Sequence, residues 1–233
     1  MSRSVSSTAS KRAPHSYLCS TKLEDELRSR GCRLIAGCDE VGRGSLFGAV
    51  VAASVILSPD DPIPGLNDSK KLDHAERVRL AALIRERATA WAIASVDSPS
   101  IDRINIYEAS RLAMKKAVEQ LSPRPDFLLV DALALDLPIA QQALIKGDER
   151  SHSIAAASII AKVYRDDMMC AWDKFYPEYG LASHKGYHAP EHIDAIRRLG
   201  PTPLHRMSFE PIRANAVWSH LPDNRQLEMF SAV

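Results

Sequence analysis

Short apolar runs alternate along the chain with longer stretches in which apolar residues recur at helical spacing. Thr21 and Glu24 form a capping-box pattern and Gly31 a stop, which predicts a helix over 22–30. Leu34-Ile35-Ala36, closed by Gly37, reads as a buried strand. Phe47 to Leu57 predicts a second strand, hairpinned to the first, before a loop marked by Pro59, Pro62, Pro64 and Gly65. Asp73 caps a helix to about Thr89, with Val78, Leu80, Leu83 and Ile84 on its buried side. Trp91 to Val96 is a third strand, and Ser98-Pro99-Ser100 opens one long helix to about Leu121. Phe127-Leu128-Leu129-Val130 is continuously apolar, as a central strand buried on both faces would be. Ile139 to Ile145 is a further strand. Ser151 to about Met169 is helical, with alanines that let it lie close on a sheet. Lys162, Arg165, Asp166 and Asp167 begin its polar end. Pro190 starts a short helix ending near Gly200, and a last helix is expected near 211–218.

Acids stand where these runs stop. Asp39 and Glu40 follow the first strand and precede Gly42-Arg43-Gly44. Adjacent strand residues face opposite sides of a sheet, so the pair converges only if the chain bends there. Asp131 ends the central strand, and Asp148 follows the next in Lys146-Gly147-Asp148. In sheets flanked by helices, strand ends are where sites form. Four gathered carboxylates repel one another unless some are protonated or divalent cations bind. Oxygen-only ligands favour Mg²⁺ or Mn²⁺, and two such ions suit phosphodiester cleavage. From the residues alone, two readings of Asp39 and Glu40 stand: metal ligands, or solvated charges in a turn. Of the four acids, Asp148 is the one most readily explained as only a helix N-cap.

Two loops carry candidate substrate contacts. Asn67-Asp68-Ser69-Lys70-Lys71-Leu72 offers lysines to a phosphate, or leaves them solvated. Ser183-His184-Lys185-Gly186-Tyr187-His188 sets an aromatic among basic groups, which suits a sugar or base beside phosphates. The alternative there is a glycine turn with a packed tyrosine.

A length of 233 residues suits one domain with appendages, and 45% hydrophobic content supplies its core. A net charge of +1 gives no global basic field, so local patches must carry any nucleic-acid binding. Cys19, Cys32, Cys38 and Cys170 form no CxxC pair and read as reduced thiols of a cytoplasmic protein. No run approaches the length of a membrane span. Residues 1–20 hold Ser, Thr, Arg3, Lys11 and Arg12 without an acid. They are expected to be a disordered tail, with an organelle transit peptide as the alternative. The catalytic domain is expected over 21–219 and a flexible tail over 220–233.

The ordered blocks resemble ribonuclease HII. They are Asp39 to Gly44, Asn67 to Leu72, Asn105-Ile106, Val130-Asp131, Lys146-Gly147-Asp148, Ile154 to Lys162 with Arg165-Asp166, His184 to Tyr187, and His205-Arg206-Met207-Ser208-Phe209. The resemblance implies an α/β, ribonuclease-H-like fold with a mixed central sheet flanked by helices and a helical C-terminal part. It implies metal-dependent cleavage of RNA in RNA–DNA hybrids and at single ribonucleotides in duplex DNA, leaving 5′-phosphate and 3′-hydroxyl ends. The family's metal-binding acids fall on Asp39, Glu40, Asp131 and Asp148, with two Mg²⁺ or Mn²⁺ ions. Its 2′-hydroxyl-sensing turn falls on Gly42, Arg43 and Gly44, and its junction-reading aromatic on Tyr187. Lys70 and Lys185 are candidate phosphate contacts. The rivals are a DNA-specific nuclease of the same fold and a hybrid-binding protein with an inert site.

The protein is expected to be monomeric, with one macromolecular partner besides substrate. Gln226-Leu227-Glu228-Met229-Phe230 resembles the Gln-Leu-X-Leu-Phe peptides that dock on bacterial sliding clamps. Leu227, Met229 and Phe230 would fill an apolar groove and Gln226 would fix the register. The alternative is that these side chains fold back onto the domain.

Overall fold

The computed structural model describes residues 19–214. A mixed five-stranded sheet forms its centre: β1 (Ile35–Val41), β2 (Val50–Ile56), β3 (Ala90–Val96), β4 (Phe127–Asp131) and β5 (Ala140–Leu144), in the order β3-β2-β1-β4-β5. β1 pairs antiparallel with β2, as the hairpin reading requires, and parallel with β4. The remaining elements are α1 (Lys22–Ser29), α2 (His74–Arg87), α3 (Ser98–Ile104), α4 (Ile106–Glu119), α5 (His152–Asp173), α6 (Leu181–His184) and α7 (Pro190–Leu199).

Each face of the sheet is sealed by helices. Ala36, Cys38, Val130 and Leu128 pack toward Met114 and Ala113 of α4. Val51, Ala53 and Val55 pack toward Ile159 and Ala156 of α5 and Leu80 and Ile84 of α2. Each fully buried aliphatic side chain contributes about 1.5–3 kcal/mol. A third cluster gathers α5's C-terminal half, α6 and α7 around Phe47. Gly37 lets α5 lie on β1: a Cβ there would sit 2.0 Å from the Ser153 carbonyl carbon.

The structure corrects several sequence expectations. Thr21 does not cap α1; its hydroxyl donates to Asp25 at 2.7 Å. Glu24 instead turns inward and accepts from the Ser151 hydroxyl (2.6 Å) and the Ser153 amide (2.9 Å) at the start of α5. Val78 is exposed, because at about 100° per residue it falls off the stripe shared by Leu80 and Ile84. The long helix after Ser98 breaks at Asn105, which takes a left-handed φ of 68° and caps α4 by accepting from the Glu108 amide. Residues 211–214 form turns; the rest of the expected last helix and both tails lie outside the described residues.

Candidate active site

β1 does not stop before its acids. It runs through Asp39 and Glu40 to Val41, with Asp39 opposite Ala53 and Glu40 opposite Ala52 on β2. The pleat therefore holds the two acids on opposite faces. Asp39 lies on the α5 side near Ser158, whose hydroxyl meets that of Ser69 at 3.0 Å and works against the rise in the Asp39 pKa. Parallel pairing of Cys38 with Val130 brings Asp131 beside this point. Asp148 sits in a short 3₁₀ turn, Gly147–Glu149, whose Gly147 amide donates to Asp131 at 2.7 Å. Asp148 is not the cap of α5, since Ser151 accepts from the Ile154 amide in that role.

Each acid has found a local partner. Glu40 pairs with Arg43 at 3.2 Å, and its amide donates to Asp39 at 2.8 Å. Lys70 lies 3.6 Å from Asp148 and 4.0 Å from Asp68. Among the described residues, no group of three or more acids, histidines or cysteines closes into a coordinating arrangement. Burial first, then Glu40 and Asp131, pushes the Asp39 carboxyl well above its usual range. Burial likewise raises Glu40 against Arg43, and Asp131 against the Gly147 amide. Burial, Asp68 and Asp131 raise Asp148 against Lys70. Burial alone would lower the Lys70 ammonium, but Asp148, Asp68, Asp39 and Asp131 raise it.

The donor set fits a hard divalent cation. Glu40 Oε2 is closed off from solvent without a hydrogen-bond partner, an atom that ligation would satisfy. The surrounding acceptors are carboxylate oxygens, the ligands of Mg²⁺ and Mn²⁺.

Gly42-Arg43-Gly44 leads out of β1 beside these acids. Gly42 takes φ +92° and presses on Arg165, whose Nε a Cβ would approach to 2.2 Å. A Cβ on Gly44 would meet nothing within 4 Å. The fold does not require glycine there, so the missing side chain leaves the backbone open to a ligand. Tyr187 is half-buried with Arg165 5.2 Å from its ring centre. The Leu46 amide and Ser45 hydroxyl both reach the Gly186 carbonyl and tie the Tyr187 loop to this turn. Lys70 is open to solvent at the site's edge. Lys185 turns inward, donating to the Ala182 carbonyl and meeting Cys170 Sγ at 3.3 Å.

Sequence reasoning missed two arginines. Arg165, assigned to a polar end, is fully buried. It lies four residues after Ala161 and seven after Ser158, on the face that packs on the sheet, and that spacing was the available signal. Arg165 donates to Ser45 Oγ and to the carbonyls of Ala49, Phe47 and Lys185. Arg206 is equally buried, with Phe209's ring 5.1 Å away. Burial, then the neighbouring Arg165, lowers the Arg206 guanidinium to about 9. Asp68, quoted only within a motif, adds a fifth carboxylate beside Asp148.

The family model for Ribonuclease HII matches residues 36–212. Ribonuclease HII of Solibacter usitatus (strain Ellin6076) is 63% identical over 214 residues, covering 92% of this chain and 93% of that protein. The crystal structure of ribonuclease H2 from Pyrococcus horikoshii OT3 superposes with a TM-score of 0.68 at 24% identity, over 78% of this chain and 96% of that one. The PCNA:RNase HII complex from Archaeoglobus fulgidus gives 0.66 at 25% identity, over 76% and 96%.

Proposed function

The chain belongs to the ribonuclease HII family, metal-dependent endonucleases of RNA–DNA hybrids and of ribonucleotides in DNA, and from that premise we propose how its residues divide the work. Asp39, Glu40, Asp131 and Asp148 hold two divalent ions, Mg²⁺ or Mn²⁺. When bound, such ions supply an activated water and neutralise charge at the phosphate and the leaving 3′-oxygen. The observation that carries this assignment is that Asp39, Glu40, Asp131 and Asp148, buried or half-buried, all have proton affinities raised by burial first and by neighbouring carboxylates second, beside a buried, unpartnered oxygen of Glu40. The Gly42-Arg43-Gly44 backbone reads the ribose and its phosphate, where Gly44 leaves the approach open. Tyr187, braced by Arg165, stacks on the sugar at the junction. Lys70 contacts a backbone phosphate; Lys185 can do so only by leaving the Ala182 carbonyl.

The test uses two duplexes that differ by one 2′-hydroxyl. With Mg²⁺ or Mn²⁺ the protein should cut the DNA duplex holding one ribonucleotide and leave its all-DNA twin intact, and EDTA should stop the cut. Efficient cutting of the all-DNA duplex would instead favour a DNA-specific nuclease.

The body over 21–219 acts as a monomer in the cytoplasm, in keeping with the free thiols at Cys19, Cys32, Cys38 and Cys170. Among the described residues no helix is long and apolar enough to cross a membrane. We also assign Gln226, Leu227, Met229 and Phe230 to docking on a sliding clamp. An archaeal structure of the same fold was solved as a PCNA:RNase HII complex, which supports clamp binding as a property worth testing here. A fluorescent peptide of residues 222–233 should bind a bacterial clamp with about micromolar strength. Substituting Ala at Leu227 and Phe230 should abolish that binding without slowing cleavage of short duplexes.

A further inference from the structure

Arg206 is a fully buried cation whose hydrogen bonds go to three backbone carbonyls: Gly42 at 2.7 Å, Arg43 at 2.8 Å and Gly48 at 3.0 Å. Taking a cation out of water costs several kcal/mol, which carbonyls offset only when each is held in line with a donor. A guanidinium can do this because its N–H groups form a rigid planar fork; an ammonium cannot.

Two of those carbonyls belong to successive peptide units of the Gly42-Arg43-Gly44 turn. In a trans peptide the C=O and the following N–H point in opposite directions. With the Gly42 carbonyl drawn inward, the Arg43 amide faces out. With the Arg43 carbonyl drawn inward, the Gly44 amide faces out. Among the described residues neither amide donates to a backbone acceptor. Both therefore lie open beside Gly44, where a Cβ would meet nothing within 4 Å. Successive outward N–H groups form a concave donor pair suited to a hydroxyl or a phosphate oxygen.

We propose that Arg206 is the positioning residue for ribonucleotide selectivity: from beneath the turn it locks two peptide planes so that the Arg43 and Gly44 amides face the sugar. The proposal rests on the reading of Gly42-Arg43-Gly44 as the sugar-sensing element. Arg165 serves a different segment, since its donors reach Ala49, Phe47, Ser45 and Lys185 and none of the turn carbonyls of Gly42 or Arg43.

The test is Arg206→Lys, read three ways. On a duplex with one ribonucleotide, kcat/KM should fall about tenfold or more, the loss from misaligned donors at a reacting centre. In EDTA, affinity for the all-DNA duplex should stay within about twofold, because phosphate contacts elsewhere carry it. The rise in melting temperature on adding Mn²⁺ should equal that of the wild type, because the acids are untouched. Unchanged kcat/KM, or a loss of all three properties together, would overturn the proposal. Should the variant not fold, hydrogen exchange on the wild type decides. Arg43 and Gly44 amides should gain protection with the one-ribonucleotide duplex and not with all-DNA; equal protection overturns it. Gly44→Ala separates the two levels. If it cuts at full rate, the turn is not the sensor; if it is crippled while Arg206→Lys is normal, only the role of Arg206 fails.

Discussion

The Gly147 amide donates to Asp131 Oδ1 over 2.7 Å, so the strand end carrying one acid is tied to the turn carrying Asp148. Gly147 has little room: a Cβ would lie 2.5 Å from Ile154 Cδ1 and 3.2 Å from Asp131 Oδ1. The methyl at the end of Ile154 can yield, but the carboxylate must shift by a few tenths of an ångström. Gly147→Ala should therefore fold, at a cost of about 1–2 kcal/mol. Its Mn²⁺ affinity should fall about tenfold, as when a ligand's supporting hydrogen bond is disturbed. Calorimetric titration with Mn²⁺ checks this, and an unchanged affinity would show that the tie does not shape the site.

Asp39 makes metal-free stability fall as pH rises. Burial, Glu40 and Asp131 raise its native pKa above the ordinary carboxylate value of 3.8. Between that value and the native one, the folded protein holds a proton that the unfolded chain has released. Stability is then lost as pH climbs through the window. In EDTA, Asp39→Asn should melt higher than the wild type at neutral pH, and the gap should narrow toward pH 4. Mn²⁺ should stabilise the wild type more than the variant. Melting curves that are parallel across pH would count against the crowding.

His192 and His205 give the opposite slope. The Thr202 amide donates to His205 Nδ1, His205 Nε2 meets His192 Nε2 at 3.2 Å, and His192 Nδ1 meets the Tyr187 carbonyl at 2.9 Å. The chain of bonds is consistent only if both rings are neutral and donate in one direction. Burial, then His192, lowers His205 to about 3, and burial lowers His192 to about 4 against its bond to the Tyr187 carbonyl. Both rings therefore stabilise the fold above the ordinary histidine value of 6.5, and that contribution is lost as pH falls toward 4 and 3. Imidazole NMR signals should show both rings neutral at pH 5; titration of either near 6.5 would refute the relay.

Much of this was legible in the sequence. The five strands and the acids at or near their ends follow from short apolar runs and their boundaries. Local pattern failed where tertiary contacts decide. A strand paired on both sides continues through Asp39 and Glu40, because β2 supplies ladder partners as far as Val51. Asn105 breaks a helix that its apolar spacing would continue, since its side chain offers a second cap. The buried charges of Arg165 and Arg206 escaped notice because their partners are backbone carbonyls from distant loops, which residue types do not announce.

Lys70 Nζ lies 3.6 Å from Asp148 Oδ2, where it would compete with a bound cation. Lys70→Ala removes that competitor and also a candidate phosphate contact. The variant should bind Mn²⁺ at least as tightly as the wild type, yet cleave more slowly with a raised KM. Electron paramagnetic resonance of free Mn²⁺ measures the first and steady-state kinetics the second. Weakened Mn²⁺ binding would mean that Lys70 supports the ligand set and does not compete with it.

The most direct measurement of the four-acid site is single-turnover cleavage of a duplex with one ribonucleotide by Asp39→Asn and Asp131→Asn at saturating Mg²⁺ or Mn²⁺. Both variants should be folded and should bind the duplex like the wild type, because the sugar-reading turn and Lys70 are unchanged. Cleavage should fall by about a thousandfold or more, the scale lost when charge stabilisation at the transition state is removed. Near-wild-type cleavage by either folded variant would contradict the assignment of these acids to the metal site.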